Sequence, residues 1–330
     1  MVKVEGSRDL VRRAVSVLLL LACLCLAACS SNAAQGNPEV VTPDGQPSVA
    51  PAEAATEIPP AATPTPVPSP TATATAVPTA TPTREPFVVM LDPGHGGFDL
   101  GARRFDENGK MVYHESTINL ELALLTRDEL LARGFQVRMT RETDTTVNVD
   151  QVDTSGDGVL EYTQDEMHAR IDVVNASDAD LLLSIHHNAW ADANGVSYPE
   201  VGGIQTYYCA DRPWGAENRR FALLVHQYLT DAMVAYGYHP EDRGVLDDFE
   251  PDPSDSRGKH LMILGPVSAR IRRETHIPGV LSEPVFITHA EEGLLLQDPA
   301  FLHALAVGYA EAIEAFVDGV VPPEPEETSP

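Results

Sequence analysis

Three side chains able to bind a metal stand where short apolar runs end. His95 follows the run Phe87–Leu91, inside Asp92-Pro93-Gly94-His95-Gly96-Gly97, where glycines allow a sharp turn and leave space beside an imidazole. Glu115 lies just before a helical pattern through Leu120, Leu124, Leu125 and Leu131, and His186 and His187 directly follow the apolar run Leu181–Ile185. If strand alternation persists, only one of His186 and His187 faces the metal. Two imidazoles, one carboxylate and an open fourth position form the donor set of a hydrolytic zinc site, whereas structural zinc sites are closed by four protein ligands. Taken singly, each residue has a plainer explanation: a histidine after a turn makes a surface hydrogen bond, and a glutamate at a helix start complements the dipole. Their joint placement at strand ends, where helix-flanked sheets collect their sites, points to metal chemistry.

A second constellation lies in an insertion at about residues 150–166. Asp153, Ser155, Asp157, Val159 and Glu161 occupy the first, third, fifth, seventh and ninth places of an EF-hand-like calcium loop, with Gly158 at the turn. Gln164 stands where that loop has its bidentate glutamate, and Asp165 and Glu166 follow at once. Two readings remain open for this segment, a Ca2+ site or a polar, turn-rich surface insertion.

The elements that must hold these residues alternate between strand and helix. Strands are expected at Phe87–Leu91, Phe135–Met139, Leu181–Ile185, Gly203–Tyr208, Leu261–Leu264 and Val280–Leu281. Helices are expected from Leu120 toward the stop at Gly134, and at Met167–Ala176, Phe221–Ala235 and Pro299–Phe316. This order predicts an α/β fold, a single domain with a central mainly parallel or mixed sheet covered by helices on both faces. The Asp- and Pro-rich stretch His239–His260 reads as a mobile loop near the site.

Composition sets the domain boundaries. Residues 1–28 combine a basic start, with Lys3, Arg8, Arg12 and Arg13, and an apolar run too short to span a membrane comfortably, the pattern of an export signal. The run ends in Leu26-Ala27-Ala28-Cys29, which resembles the lipobox of bacterial lipoproteins and predicts lipidation of Cys29 and anchoring to the outer face of a membrane. The alternative is a soluble secreted chain. Residues 29–86 are rich in Pro, Thr and Ala and cannot build a core, so they read as a disordered spacer. The catalytic domain is expected at 87–317, followed by an acidic, Pro-rich tail at 318–330. Cys209 alone remains in the mature domain and reads as a small buried hydrophobe. A formal net charge of −27 excludes nucleic acid as a natural partner.

Together these motifs resemble the zinc-dependent N-acetylmuramoyl-L-alanine amidases of the amidase type 3 family, over nearly all of residues 87–317. The resemblance rests on Leu91-Asp92-Pro93-Gly94-His95-Gly96-Gly97 with Asp99 and Gly101-Ala102, on Glu115 with Asn119-Leu120, on Thr140-Arg141 with Asp144, and on Ser184-Ile185-His186-His187-Asn188-Ala189. It implies that His95, Glu115 and His186 hold Zn2+, leaving His187 in a variable place. A fourth stretch, Val280-Leu281-Ser282-Glu283-Pro284-Val285-Phe286, resembles the family's late strand and implies that Glu283 is the catalytic acid–base. The implied substrate is peptidoglycan, cut between N-acetylmuramic acid and L-alanine. Two rival readings are a zinc amidase acting on another exported amide and a catalytically silent peptidoglycan-binding lipoprotein; no motif names an activating protein.

Overall fold

The computed structural model describes residues 86–191, 197–253 and 255–323. The export signal, Cys29, almost all of the Pro/Thr/Ala-rich spacer and the end of the acidic tail lie outside the described residues. In chain order the described elements are β1 (Val88–Pro93), β2 (Arg103–Phe105), β3 (Met111–His114), α1 (Glu115–Ala132), β4 (Gln136–Met139), α2 (Tyr162–Ala176), β5 (Leu181–Ile185), β6 (Ile204–Tyr208), α3 (Gly215–Tyr236), β7 (Asp242–Asp247), β8 (Glu250–Asp252), β9 (Asp255–Lys259), β10 (Gly279–Glu283), α4 (Glu292–Leu295) and α5 (Pro299–Val317).

Six strands form one mixed sheet in the order β4-β1-β5-β10-β6-β7. The first four are mutually parallel, β6 runs antiparallel to β10, and β7 is parallel to β6. Every residue of β1 and β5 is buried, which is why both read as unbroken apolar runs rather than alternating ones. Their alternation is still visible in the packing. Val89, Leu91, Leu181 and Leu183 enter the larger core with Leu122 of α1, Phe221 and Leu229 of α3, and Phe301, Tyr309 and Ile313 of α5. Val88, Met90 and Leu182 face the other way, onto Ile171 and Val174 of α2 and onto Ile263 and Leu264. Helices do cover both faces, but the second is shared between one helix and a loop. Helix α5 is long and apolar enough to cross a membrane by composition, yet its apolar side is buried in the larger core.

Two expectations need correction. Leu261–Leu264 is a turn rather than a strand: the amides of Leu264 and Gly265 both bond to the Leu261 carbonyl, at 3.0 and 2.8 Å. A short apolar run signals burial without specifying backbone, and here it fills the smaller core from a turn. The stretch His239–His260 is not simply a loop, because it contains β7, paired with β6 at the sheet edge, and the β8–β9 hairpin. An edge strand needs backbone pairing on one side only and little apolar content, so a polar sequence suffices.

One buried network fixes the turn after β1. Asp92 accepts hydrogen bonds from Thr140 Oγ1 (2.7 Å), Ser184 Oγ (2.8 Å) and Arg170 Nη1 (2.8 Å). Arg170, reaching over from α2, also binds the Pro93 and His95 carbonyls and Glu166. Arg141 holds the Pro93 carbonyl (2.9 Å), the Gly94 carbonyl (2.9 Å) and the Ser116 carbonyl (2.7 Å). Burial works against the Asp92 charge, but Arg170 and the two hydroxyls outweigh it and hold the carboxyl below its ordinary range. Arg170→Met strands Asp92 and Glu166 as buried anions, and urea unfolding at neutral pH is expected to show a loss of about 3–5 kcal/mol. Because the Asp92 pKa is depressed in the folded state, its stabilisation is present above the ordinary carboxylate range and disappears as pH falls through the depressed value. The gap between wild type and Arg170→Met should therefore narrow in strongly acidic unfolding series; a gap independent of pH would contradict this account.

Candidate active site

The ends of β1 and β5 are paired in register at Pro93 and Ile185, so the residues after them leave the sheet together. The Gly94 amide bonds to the Ile185 carbonyl at 3.0 Å, which keeps the two exits side by side. The β2–β3 hairpin delivers the chain straight into α1, making Glu115 the first helical residue, with its amide on the Ala102 carbonyl at 2.8 Å. Three elements thus converge. Glu115 Oε1 lies 3.1 Å from His95 Nε2 and 3.1 Å from His186 Nδ1, and the two rings meet edge to face with centroids 4.9 Å apart.

His187 turns the opposite way. It is buried, its Nδ1 lies 2.7 Å from Asn119 Oδ1, and burial together with neighbouring His186 pushes its pKa down to about 4. The alternation expected at the end of β5 therefore selects His186 for the cluster. Asn119 in turn donates to the Gly94 carbonyl at 3.2 Å, tying the back of the site to the turn.

The donor set fits a metal ion. His95, Glu115 and His186 each offer one ligand atom, all within 4.8 Å of one another. Glycine keeps the space open: a Cβ on Gly94 would stand 2.1 Å from the His186 ring, and one on Gly101 would stand 2.5 Å from Glu115 Oε2. Asp99 Oδ2 holds His95 Nδ1 at 2.7 Å, the carboxylate–imidazole arrangement that orients a ligand histidine and leaves Nε2 facing the cluster. Burial opposes a charge on His95, yet Glu115 and Asp99 outweigh it and raise the imidazole to about 10. Glu115 is likewise penalised by burial but held well below its usual range by His95 and His186. Such a site demands positive charge, as protons or as a cation. The side chains of His95 and His186 retain 23% and 20% exposure against 6% for Glu115, so the cluster is open to solvent on the histidine side.

Glu283 closes β10 beside this cluster. The His186 amide bonds to the Ser282 carbonyl at 3.0 Å, placing the next residue against the β5 exit. Burial, then repulsion from Glu115, push the Glu283 carboxyl up to about 8 against the opposing pull of His95 and a hydrogen bond from Asn188.

Comparison with known proteins identifies the family. The sequence profile of the N-acetylmuramoyl-L-alanine amidase family matches residues 89–315. The chain belongs to this family. It is similar to the germination-specific N-acetylmuramoyl-L-alanine amidase of Bacillus subtilis, at 29% identity over 72% of this chain and 83% of that one. It also resembles the amidase AmiA of Escherichia coli, at 28% identity over 69% and 75%, and the probable cell wall amidase LytH of Staphylococcus aureus, at 36% identity over 71% and 57%. The fold matches that of the CwlD amidase from Clostridioides difficile, solved in complex with the GerS lipoprotein, with a TM-score of 0.52, 21% identity and coverage of 71% of this chain and 99% of that one. The protein is an enzyme, an amidase of peptidoglycan, and the silent binding module gives way to that activity.

In this amidase the calcium expectation finds no support. Among the described residues two groups of side chains lie close enough to share a metal, and Asp153, Asp157 and Glu161 belong to neither. The Asp153 carboxylate instead accepts from the amides of Gly156 (2.7 Å) and Gly158 (2.7 Å) and from Ser155 Oγ (3.0 Å). Val159 gives its amide to Asp157 at 2.8 Å, and Glu161 immediately precedes α2 without a side-chain capping hydrogen bond; the helix begins earlier than expected and takes Gln164, Asp165 and Glu166 into its first turns. Asp165 turns inward onto the Ser155 and Glu161 amides, so the acids after the loop serve the helix start. Residues missed in the sequence include Arg170 and Asn188. Glu166–Arg170 was visible as a helical i,i+4 pair, but such pairs are ordinarily surface features and nothing local marked this one as buried.

Gly94→Ala is expected to displace the His186 ring while leaving the fold intact. Metal content by equilibrium dialysis should fall by about 10–100-fold in affinity, the range for disturbed ligand positioning, and sacculus hydrolysis should fall with it. Unchanged metal binding in a folded Gly94→Ala protein would remove the close approach of Gly94 as a requirement of the site.

Proposed function

We propose that the amidase is zinc-dependent, that His95 Nε2, Glu115 and His186 Nδ1 hold the metal, and that Glu283 is its acid–base, cleaving the amide between the lactyl group of N-acetylmuramic acid and L-alanine. The observation that carries this reading is the convergence of two imidazoles and a carboxylate beside a second, protonatable carboxyl. Zinc, when bound, supplies Lewis acidity that polarises a carbonyl and acidifies water.

The chain's own groups supply the rest. Asp99 keeps His95 in the tautomer whose Nε2 lone pair faces the cluster. Glu283 accepts a proton from the attacking water and returns it to the departing L-alanine nitrogen, since an amide leaves poorly as an anion. Its pKa of about 8 without a metal is drawn down by a dication between the ligands, so burial and the cation act in opposite directions on the same carboxyl. Cell-wall amidases among the relatives support action outside the cytoplasm, and the Leu26–Cys29 motif supports tethering through a lipid on Cys29.

Glu283→Gln is expected to keep its zinc and lose about 10²–10⁴-fold in turnover, read as release of stem peptides beginning with L-alanine from purified sacculi. Chelator treatment of the wild type should abolish that release and added zinc restore it; full activity of the chelated enzyme, or of Glu283→Gln, would reject the mechanism. For the anchor, Cys29→Ala should move the protein from the membrane fraction to the soluble extracytoplasmic fraction, and persistence in the membrane would exclude lipidation as the tether.

A further inference from the structure

Away from the catalytic cluster, three strand ends meet in the smaller core. Cys209 follows β6, Asp248 follows β7 and His260 follows β9. The Asp248 amide bonds to the Tyr208 carbonyl at 2.8 Å, which seats Cys209 and Asp248 side by side. His260 Nδ1 lies 2.8 Å from Asp248 Oδ1 and 3.6 Å from Cys209 Sγ, and the three ligand atoms all fall within 4.8 Å. The Cys209 residue and the His260 and Asp248 side chains are essentially closed to solvent. Asp248 Oδ2 is held separately by the Leu261 amide at 3.0 Å, leaving Oδ1 directed at the cluster.

We propose that Cys209, Asp248 and His260 form a second metal site, buried and separate from the catalytic cluster, for zinc or another thiolate-preferring divalent transition metal. A tetrahedral zinc with thiolate at about 2.3 Å and nitrogen and oxygen at about 2.0 Å separates its donors by about 3.3–3.5 Å; the sulfur–nitrogen spacing matches this, whereas the His260–Asp248 pair, at hydrogen-bond distance, has to open by about 0.5 Å on binding. The mixture of sulfur, nitrogen and carboxylate oxygen selects zinc over calcium or magnesium.

The imidazole supplies an independent argument. His260 Nε2 is buried without a hydrogen-bond partner, and the Asp211 carboxylate lies beyond hydrogen-bond reach, with Oδ2 at 3.8 Å. With the proton on Nδ1, His260 donates to Asp248 but turns a bare lone pair on Nε2 toward a carboxylate. With the proton on Nε2, that N–H faces Asp211, and the Nδ1 lone pair points at Asp248 and the sulfur. A cation at Nδ1 resolves the conflict and leaves the outer nitrogen facing a carboxylate, the usual arrangement of a metal-bound histidine. On binding, the metal displaces the Cys209 thiol proton to solvent. Arg212 donates through its terminal nitrogens to the Leu264 carbonyl and to Thr275, leaves its buried Nε without a hydrogen bond, and contributes background positive charge to the cluster. Burial of Cys209 excludes a role as an accessible nucleophile. A metal here would clamp the β7–β9 segment, which carries few apolar residues, onto the edge of the sheet.

The test uses the full chain with Cys23, Cys25 and Cys29 replaced by Ser, which leaves Cys209 as its one thiol. Cobalt(II) is added to metal-free folded protein and read by absorption, together with metal content per chain. A sulfur-to-cobalt charge-transfer band in the near ultraviolet and a second equivalent of metal are expected, because the His95–Glu115–His186 cluster contains no sulfur. The band should persist in His95→Ala, which removes a ligand of the other site, and vanish in His260→Gln. Absence of the band in folded protein overturns the proposal without touching the catalytic reading. If His260→Gln fails to fold, the spectrum of the single-thiol chain still decides.

Discussion

The Asp92–Arg170 ion pair is the constraint on which the site depends. His95 is a non-glycine residue with φ of 61°, a left-handed conformation that a side chain adopts only when its surroundings impose it. Those surroundings are the two buried guanidiniums. Arg170 and Arg141 take the carbonyls of Pro93, Gly94 and His95, so the turn has no free acceptors with which to relax. Asp92, one residue inside the strand, anchors Arg170 and is itself fixed by hydroxyls from the neighbouring β4 and β5 exits. The strained backbone is thus supported by charge-assisted hydrogen bonds in a region with no competing water.

From that anchor the electrostatics of the cluster follow. The turn, the end of β5 and the first residue of α1 bring two imidazoles against one carboxylate oxygen, with Asp99 behind His95 and Asn119 linking Glu115, His187 and the turn. Negative charge exceeds what two neutral histidines can balance, and the fold holds the excess in place by burial. Burial, reinforced by repulsion from Glu115, raises the Glu283 carboxyl, which would otherwise be ionised throughout the neutral range. One arrangement therefore favours positive charge among the three clustered side chains and a proton on the neighbouring carboxyl.

The other half of the sheet shows how far a sequence pattern reaches. β1, β5 and β10 are buried on both faces and read as strands from their apolar runs. β7 is polar and partly exposed because it pairs at the edge, so its sequence carries only the signal of a loop. Leu261–Leu264 shows the reverse case, an apolar run buried as a turn: the Leu261 carbonyl takes the Leu264 and Gly265 amides, and the Leu264 carbonyl takes Arg212 rather than a neighbouring strand.

The ligand types, their placement after strands and at a helix start, the α/β alternation and the family of this amidase were determined by the sequence alone, since each depends on local spacing or on a contiguous motif. The tertiary structure decided which of two adjacent histidines joins the cluster, through the alternation of β5 and the buried Asn119 partner of His187. It decided that Glu166–Arg170 is an internal support rather than a surface pair, and that the acids of the 150–166 insertion serve amides and a helix start rather than one another. It also brought Cys209, Asp248 and His260 together from three strand ends. These outcomes depend on contacts between residues distant in the chain, which only the closed sheet creates.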